Sequence, residues 1–175
     1  MTLIVSYISH QGVILASDRR ITWVRKGVSD SYEDSENKAI VLAGTFLMGY
    51  TGFARLGGVK TEQWVCDQLG SEEPSNYFKI LAQESTEAVA ALGQETKDSG
   101  HAFVAVGFAN TPYSPDKPEP VGVTISNALG ESYGSWEPGD KFKITRTSPL
   151  ANDNDIRLNA VGIAPRLSVI ERPSI

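Results

Sequence analysis

The first 22 residues of this 175-residue chain constrain its fold more than any other stretch. Residues 3–8 form a mostly apolar, β-branched run, which predicts a strand buried on both faces. Residues 9–12, Ser-His-Gln-Gly, predict a tight turn in which Gly12 supplies a positive φ. Residues 13–16 predict a second strand, which is followed by Ser-Asp-Arg-Arg at 17–20. The stretch therefore predicts an antiparallel hairpin whose second strand ends in a carboxylate and two guanidinium groups.

This hairpin brings chemically useful groups to one end of the fold. Antiparallel pairing places the start of the first strand beside the end of the second. Thr2 and Asp18 are therefore expected to lie close together, although they are far apart in sequence. Removal of the initiator Met1 would leave Thr2 at the N-terminus, with a free α-amine beside its own hydroxyl. We expect a hydroxyl, an amine and a carboxylate to share this end of the hairpin.

The order of these residues resembles the N-terminal part of a proteasome β subunit, a member of the N-terminal nucleophile (Ntn) hydrolase family. A Thr-led strand and a tight turn precede the pattern G-V-x-L-A-x-D-R-R at residues 12–20. Asn-Lys-Ala-Ile at residues 37–40 resembles the lysine-bearing strand of the family. Gly-Tyr-Thr-Gly-Phe-Ala at residues 49–54 resembles its oxyanion-hole turn. The resemblance covers about the first two-thirds of the chain well and the last third only in outline.

The resemblance implies catalytic roles for five residues. Thr2 would supply both the nucleophilic hydroxyl and, through its α-amine, the base that such a hydroxyl needs at neutral pH. Lys38 would tune this amine, because a neighbouring cation disfavours a second positive charge, and Asp18 would orient Lys38. Arg20 occupies the position of a buttressing arginine, and the backbone N–H of Gly49 would face the developing oxyanion. The resemblance implies no metal and no organic cofactor.

The implied reaction is hydrolysis of a peptide bond or another amide through an acyl-ester on Thr2, as in a threonine-type endopeptidase or amidohydrolase. One alternative is a catalytically inactive, proteasome-like structural subunit that keeps the fold and assembles. A small-molecule amidase of the same superfamily is a further alternative. The inactive alternative is favoured at the C-terminal end, where Ile163 replaces the serine of the family's G-S-G turn. It is also favoured by the ten or so residues that follow, which are too few for a second helical layer.

The order of elements predicts an α+β protein with a single domain over residues 1–175. Strands, two amphipathic helices and further strands follow one another, without the β-α-β alternation of a parallel sheet. The resemblance implies an αββα Ntn-hydrolase-like sandwich of antiparallel sheets whose second helical layer is truncated, with an incomplete or divergent C-terminal part. The helices are predicted at 53–69, with a start near Val59 as an option, and from Ser75 to 93–100. Strands are predicted at 39–43, 45–48, 102–109, 121–127, 142–147 and 158–163, a loop or extended segment at 21–35, and a loop at 110–120.

Composition limits the classes of partner. Apolar residues make up 41% and charged residues 21% of the chain, and the net charge of −5 is spread along it. The basic residues at 19–20 and 25–26 are pairs, so no nucleic-acid interface is predicted. A single cysteine excludes an intramolecular disulfide and a cysteine metal cluster. Without a membrane-spanning run or a signal peptide, we expect a cytoplasmic protein. Its expected partners are a peptide or amide substrate and, by resemblance, further subunits of a homo- or hetero-oligomeric ring.

Overall fold

A computed structural model of the chain describes residues 3–19, 21–25, 28–33, 37–52, 54–92, 100–111, 114–128, 138–148 and 157–162. For the strands within 21–33 and 157–162 the description is of the backbone. Three residues singled out by the sequence, Thr2, Arg20 and Ile163, lie outside the described residues.

The described residues form strands that precede and follow a short helical region. The first strands are β1 (Leu3–Ser9), β2 (Gly12–Ser17), β3 (Ile21–Arg25), β4 (Val28–Glu33), β5 (Ala39–Leu42), β6 (Phe46–Thr51), β7 (Arg55–Leu56) and β8 (Val59–Lys60). Helix α1 (Thr61–Leu69) is joined to helix α2 (Tyr77–Ala90) through a 3₁₀ turn at Pro74–Asn76. The later strands are β9 (Ala102–Thr111), β10 (Ser114–Ser126), β11 (Lys143–Thr147) and β12 (Arg157–Gly162).

Two antiparallel sheets form the body of the described fold. A five-stranded sheet has the order β11-β10-β9-β6-β5, and a three-stranded sheet has the order β12-β1-β2. The pairs β3-β4 and β7-β8 are small hairpins beside them. The fold is therefore mixed α+β with antiparallel pairing, as the element order predicts.

The five-stranded sheet is the central layer, because its two faces pack against different partners. On β9, Phe103 and Ala105 belong to a core that also contains helix residues such as Leu81. The alternate residue Val104 instead belongs to a second core with Ile4 of β1. Successive strand residues point to opposite faces, so the layers follow the order helices, five-stranded sheet, three-stranded sheet.

The N-terminal hairpin is confirmed, with the pairs running from Ile4–Ser17 to Ser9–Gly12. Two details of the prediction are wrong. Gly12 does not have a positive φ; instead Ser9 Oγ accepts the N–H of Gln11 at 3.2 Å and contacts the Gly12 carbonyl at 3.2 Å. Strand β1 is also buried on one face rather than both, since its even-numbered residues are buried while Leu3 is 36% exposed.

The first helix begins at Thr61, later than the predicted residue 53 and close to the alternative start near Val59. Residues 55–60 instead form the β7–β8 hairpin, whose turn is Gly57-Gly58 with φ of 58° and 84°. Two consecutive residues with positive φ form the type of turn that closes a two-residue hairpin. The second helix is confirmed with an inward stripe that includes Leu81, Ser85 and Val89. Its start at Tyr77 lies slightly beyond the predicted Ser75.

Two segments without clear periodicity contain strands in the structure, which agrees with the extended alternative predicted for 21–35 and contradicts the loop predicted for 110–120. The segment 21–35 contains the β3–β4 hairpin, although the sequence has little periodicity there. In the proline-rich segment 110–120, residues 110–111 end β9 and residues 114–120 begin β10, and the register of the pair shifts between Ser114 and Glu119. Pro115 and Pro118 lie inside this irregular stretch, where a missing N–H removes no ladder hydrogen bond.

No helix of the described residues is long and apolar enough to cross a membrane.

Candidate functional site

The predicted pair of Asp18 and Lys38 forms in the structure. Lys38 Nζ lies 3.0 Å from Asp18 Oδ1, as an ion pair and a hydrogen bond. The other carboxylate oxygen, Oδ2, accepts the backbone N–H of Leu3 at 3.2 Å. The backbone N–H of Asp18 in turn donates to the Leu3 carbonyl at 3.0 Å. One carboxylate therefore connects the lysine to the residue that directly follows Thr2.

The two charges differ in their exposure to water. The side chain of Lys38 is 3% exposed, whereas that of Asp18 is 34% exposed. A buried ammonium is stable only with a charged or hydrogen-bonding partner, because water no longer solvates it. Asp18 supplies this partner while one side of its carboxylate stays open to solvent. The pair thus lies at the edge of the core, at the end of the hairpin where β1 begins.

The close approach of the two sheets explains how the pair forms. Asp18 follows β2 in the three-stranded sheet, and Lys38 precedes β5 in the five-stranded sheet. Gly49 of β6 pairs with Ala39, and a Cβ added to Gly49 would lie 3.4 Å from side-chain atoms of Ile4 and Leu15. β1 and β2 therefore pack against β6 at Gly49, and the end of β2 reaches the start of β5.

The predicted turn at residues 49–52 is wrong for its first three residues. Gly49 lies within β6 and pairs with Ala39 on one side and Val104 on the other. The strand continues to Thr51, because β9 supplies a partner as far as Ala102. The chain leaves the strand at Gly52, which has a φ of 96°. The oxyanion role of Gly49 stays a prediction, and the turn geometry belongs to Gly52.

Gly52 is the glycine of this motif that the structure requires. A side chain there would collide with the imidazole of His101 and approach the Gly100 carbonyl oxygen to 2.8 Å. His101 is buried, and its backbone N–H donates to Asn127 Oδ1 at 2.7 Å. The sequence motif contains both glycines, and nothing in its spacing distinguishes the strand glycine from the turn glycine.

The structure therefore brings together Asp18, Lys38 and the backbone of Leu3, with Gly49 in the strand beside them. Thr2 and Arg20 lie outside the described residues, so their predicted roles stay predictions. Within the part of the chain that the structure describes, no group of three or more His, Cys, Asp or Glu residues could hold a metal ion. No family model, no curated protein and no solved structure matches this chain.

Proposed function

We propose that this protein is a threonine-type N-terminal nucleophile hydrolase, similar to a proteasome β subunit, that cleaves peptide or other amide bonds. One observation carries the proposal: the Asp18 carboxylate holds the Lys38 ammonium and the backbone N–H of Leu3 at the same time. A nucleophile at position 2 is attached directly to this backbone N–H. The charged pair is thereby fixed relative to the start of β1, where the resemblance requires it.

In the proposed mechanism, removal of Met1 frees the α-amine of Thr2. Part of such an amine is uncharged near neutral pH, and it takes the proton of the Thr2 hydroxyl as the oxygen attacks the substrate carbonyl. The protonated amine then donates this proton to the leaving nitrogen, so that the amide C–N bond breaks and an acyl-ester on Thr2 remains. Water hydrolyses the ester by the reverse use of the same amine.

The charged pair acts on this amine through electrostatics and position. The Lys38 ammonium disfavours protonation of a second nearby amine, which keeps more of the Thr2 amine in its basic form. Asp18 holds the lysine in place, since an unpaired side chain of four methylenes would sample many rotamers. The resemblance implies that Arg20 would support this pair.

An oxyanion donor completes the proposed site. The backbone N–H of Gly49 is the donor that the resemblance implies. Gly49 belongs to a strand with partners on both sides and packs against the apolar side chains of Ile4 and Leu15. The turn residue Gly52 is therefore the alternative donor, because the ladder of β6 ends at Thr51 and turn N–H groups are available to a ligand.

The layer order supports the fold part of the proposal. Helices, a five-stranded sheet and a three-stranded sheet follow one another in this order, and an αββα sandwich would contain these three layers and a second helical layer. The N-terminal hairpin lies in the sheet that is farther from the helices, and the two sheets pack face to face. We propose that the architecture is that of the Ntn hydrolases.

Intact-mass measurement and covalent labelling test the function. The purified protein should lack Met1 and gain the full mass of one β-lactone probe, because ring opening acylates Thr2 without a leaving group. Cys66 is an exposed thiol that the probe could also acylate, so all measurements use a Cys66→Ser background. Thr2→Ala should abolish labelling, whereas Thr2→Ser, which keeps a hydroxyl and an amine, should retain it.

The outcomes separate the candidate functions. Retained Met1, or full labelling of Thr2→Ala, rejects Thr2 as the nucleophile. Removal of Met1 without any labelling favours the inactive structural subunit. Labelling by the probe together with cleavage of small amides, but not of peptides, favours the small-molecule amidase.

A further inference from the structure

The backbone around Lys38 is held by contacts outside the strand ladder. Strand β5 begins at Ala39, so Lys38 directly precedes the strand. The Tyr50 hydroxyl donates to the Asn37 carbonyl at 3.3 Å. The Asn37 side chain accepts the backbone N–H of Ala39 through Oδ1 at 3.2 Å. Hydrogen bonds at the preceding and following residues thus bracket Lys38.

The two hydrogen bonds differ in their origin. The contact from Asn37 is local, because an Asn side chain commonly bonds the N–H two residues further along the chain. The contact from Tyr50 comes from the neighbouring strand β6. Tyr50 is 2% exposed, and its ring lies 6.5 Å from that of Phe103 in the helix-side core. A ring fixed by packing on this scale places its hydroxyl at one position.

We propose that Tyr50, with Asn37, is a positioning residue that sets the Lys38 ammonium against Asp18. The position that we assign to Lys38 rests on these hydrogen bonds. The effect on catalysis rests on the proposed function. Loss of the Tyr50 hydroxyl leaves the Asn37 carbonyl without this donor and lets the start of β5 shift. Displacements of about 1 Å weaken catalytic arrangements strongly, and the Lys38–Asp18 contact is only 3.0 Å long.

Chemical reactivity of Lys38 tests the geometric part independently of any enzyme activity. The full chain is treated with an amine-acetylating reagent, and the modification rate of each lysine is measured by mass spectrometry. Tyr50→Phe removes the hydroxyl and keeps the ring in the core. We expect Lys38 to react roughly fivefold faster in this variant, which corresponds to the loss of about one hydrogen bond. The exposed lysines Lys79 and Lys143 should react at unchanged rates.

A matched variant separates positioning from general loosening of the fold. Tyr77→Phe removes a hydroxyl from a tyrosine that is packed against the same core from α2, and it should leave Lys38 reactivity unchanged. The NMR signal of the Lys38 ammonium should shift in Tyr50→Phe and not in Tyr77→Phe. Equal Lys38 reactivity in the wild type and Tyr50→Phe overturns the proposal. So does a rise that Tyr77→Phe reproduces.

The rate at which the β-lactone probe acylates Thr2 tests the catalytic part of the proposal. Tyr50→Phe should lower this rate about threefold to tenfold, whereas Tyr77→Phe should not change it. If the probe acylates the wild type and Tyr50→Phe at the same rate, the catalytic role of Tyr50 is overturned. An unreactive wild type rejects the proposed function instead, and the acetylation rates then decide the geometric part alone.

Discussion

At the scale of single residues, the two members of the charged pair are not equivalent. Lys38 is buried, whereas about a third of Asp18 is exposed. Removing the charge of Asp18 takes a carboxylate away from an ammonium that water hardly reaches, while removing the charge of Lys38 leaves a carboxylate that water can reach. The two substitutions are expected to differ because the two side chains differ in burial. The distance of 3.0 Å between the charged atoms is the same for both.

This difference predicts unequal losses of stability. Asp18→Asn keeps the shape and the oxygen that faces Leu3, and it should lower the free energy of unfolding by roughly 2–3 kcal/mol. Lys38→Met should lower it by less than about 1 kcal/mol, because methionine is an apolar side chain of similar length that needs no counter-ion in the core. Urea unfolding measures both, and the double variant should recover part of the loss in Asp18→Asn. A larger loss in Lys38→Met would show that the buried charge is not the deciding feature.

The two glycines of the 49–52 motif are predicted to respond differently to alanine. Gly49 has space for a Cβ at 3.4 Å from its neighbours, so Gly49→Ala should change stability by less than about 1 kcal/mol. Gly52 has a φ of 96° and abuts His101, so Gly52→Ala should cost about 1–3 kcal/mol or more. Thermal unfolding measures both variants.

The same two variants bear on the oxyanion donor. If the N–H of Gly49 is the donor and close approach of the substrate requires a glycine there, Gly49→Ala should slow acylation of Thr2 in a protein of normal stability. An unchanged acylation rate would instead favour Gly52 as the donor.

At this scale, a residue's position is predictable from the sequence where it follows from local order. Asp18 was predicted to end β2 beside the start of β1, and the hairpin register alone brings it to Leu3. The Lys38 partner required the family resemblance, because no local signal connects positions 20 residues apart. The Tyr50 hydroxyl contact was not predicted, since it depends on how deeply a core ring packs, which the sequence pattern does not specify.

At the scale of elements, the sequence predicts a helix or strand correctly where the element is long enough to have a clear periodicity. The N-terminal hairpin and α2 have clear periods of two and 3.6 residues, and both are confirmed. The strands β7 and β8 contain two residues each, too few for a period to be visible, so they were included in a predicted helix. The prolines of residues 110–120 predicted a loop, whereas pairing with β9 on either side of an irregular stretch makes it a strand.

The packing of one sheet on the other predicts a coupled pair of substitutions. Ile8 of β1 covers Gly122 of β10, and a Cβ on Gly122 would collide with Ile8 Cδ1. Gly122→Ala should therefore lower stability by about 1–3 kcal/mol through overpacking. Ile8→Val, which removes one methyl group from this side chain, should alone cost about 0.5–1.5 kcal/mol.

The double variant Gly122→Ala/Ile8→Val tests this contact. Its loss of stability should be smaller than the sum of the single losses by at least about 0.5 kcal/mol, because the shorter side chain makes room for the new Cβ. A pair of substitutions at residues that do not touch, such as Gly122→Ala with Val65→Ala on α1, should be additive within error. Additive losses in Gly122→Ala/Ile8→Val would mean that the sheets do not meet at these residues.

At the scale of the whole molecule, the order of layers follows from the order of elements, but the environment of the outer sheet does not. The composition of β1 predicts a strand buried on both faces, and only one of its faces is buried within the described residues. Its outward residues Leu3, Val5 and Tyr7 are exposed or half-buried, and the opposing Ile14 of β2 is 61% exposed. A contiguous apolar sheet face is typical of a surface that another layer or subunit covers.

This face is where the expected oligomer can be tested. If subunits associate through the outer face of the β12-β1-β2 sheet, Ile14→Lys places a charge in the interface and should reduce the mass measured by light scattering to that of a monomer. The variant should unfold at nearly the same urea concentration as the isolated wild-type subunit, because Ile14 is largely exposed there.

Val59→Lys is the matched control: Val59 is 38% exposed and lies on the β7–β8 hairpin, so it should leave the assembly intact. A wild-type protein that is monomeric across a concentration series contradicts the ring-type oligomer. An oligomer that persists in Ile14→Lys assigns its contacts to a different surface.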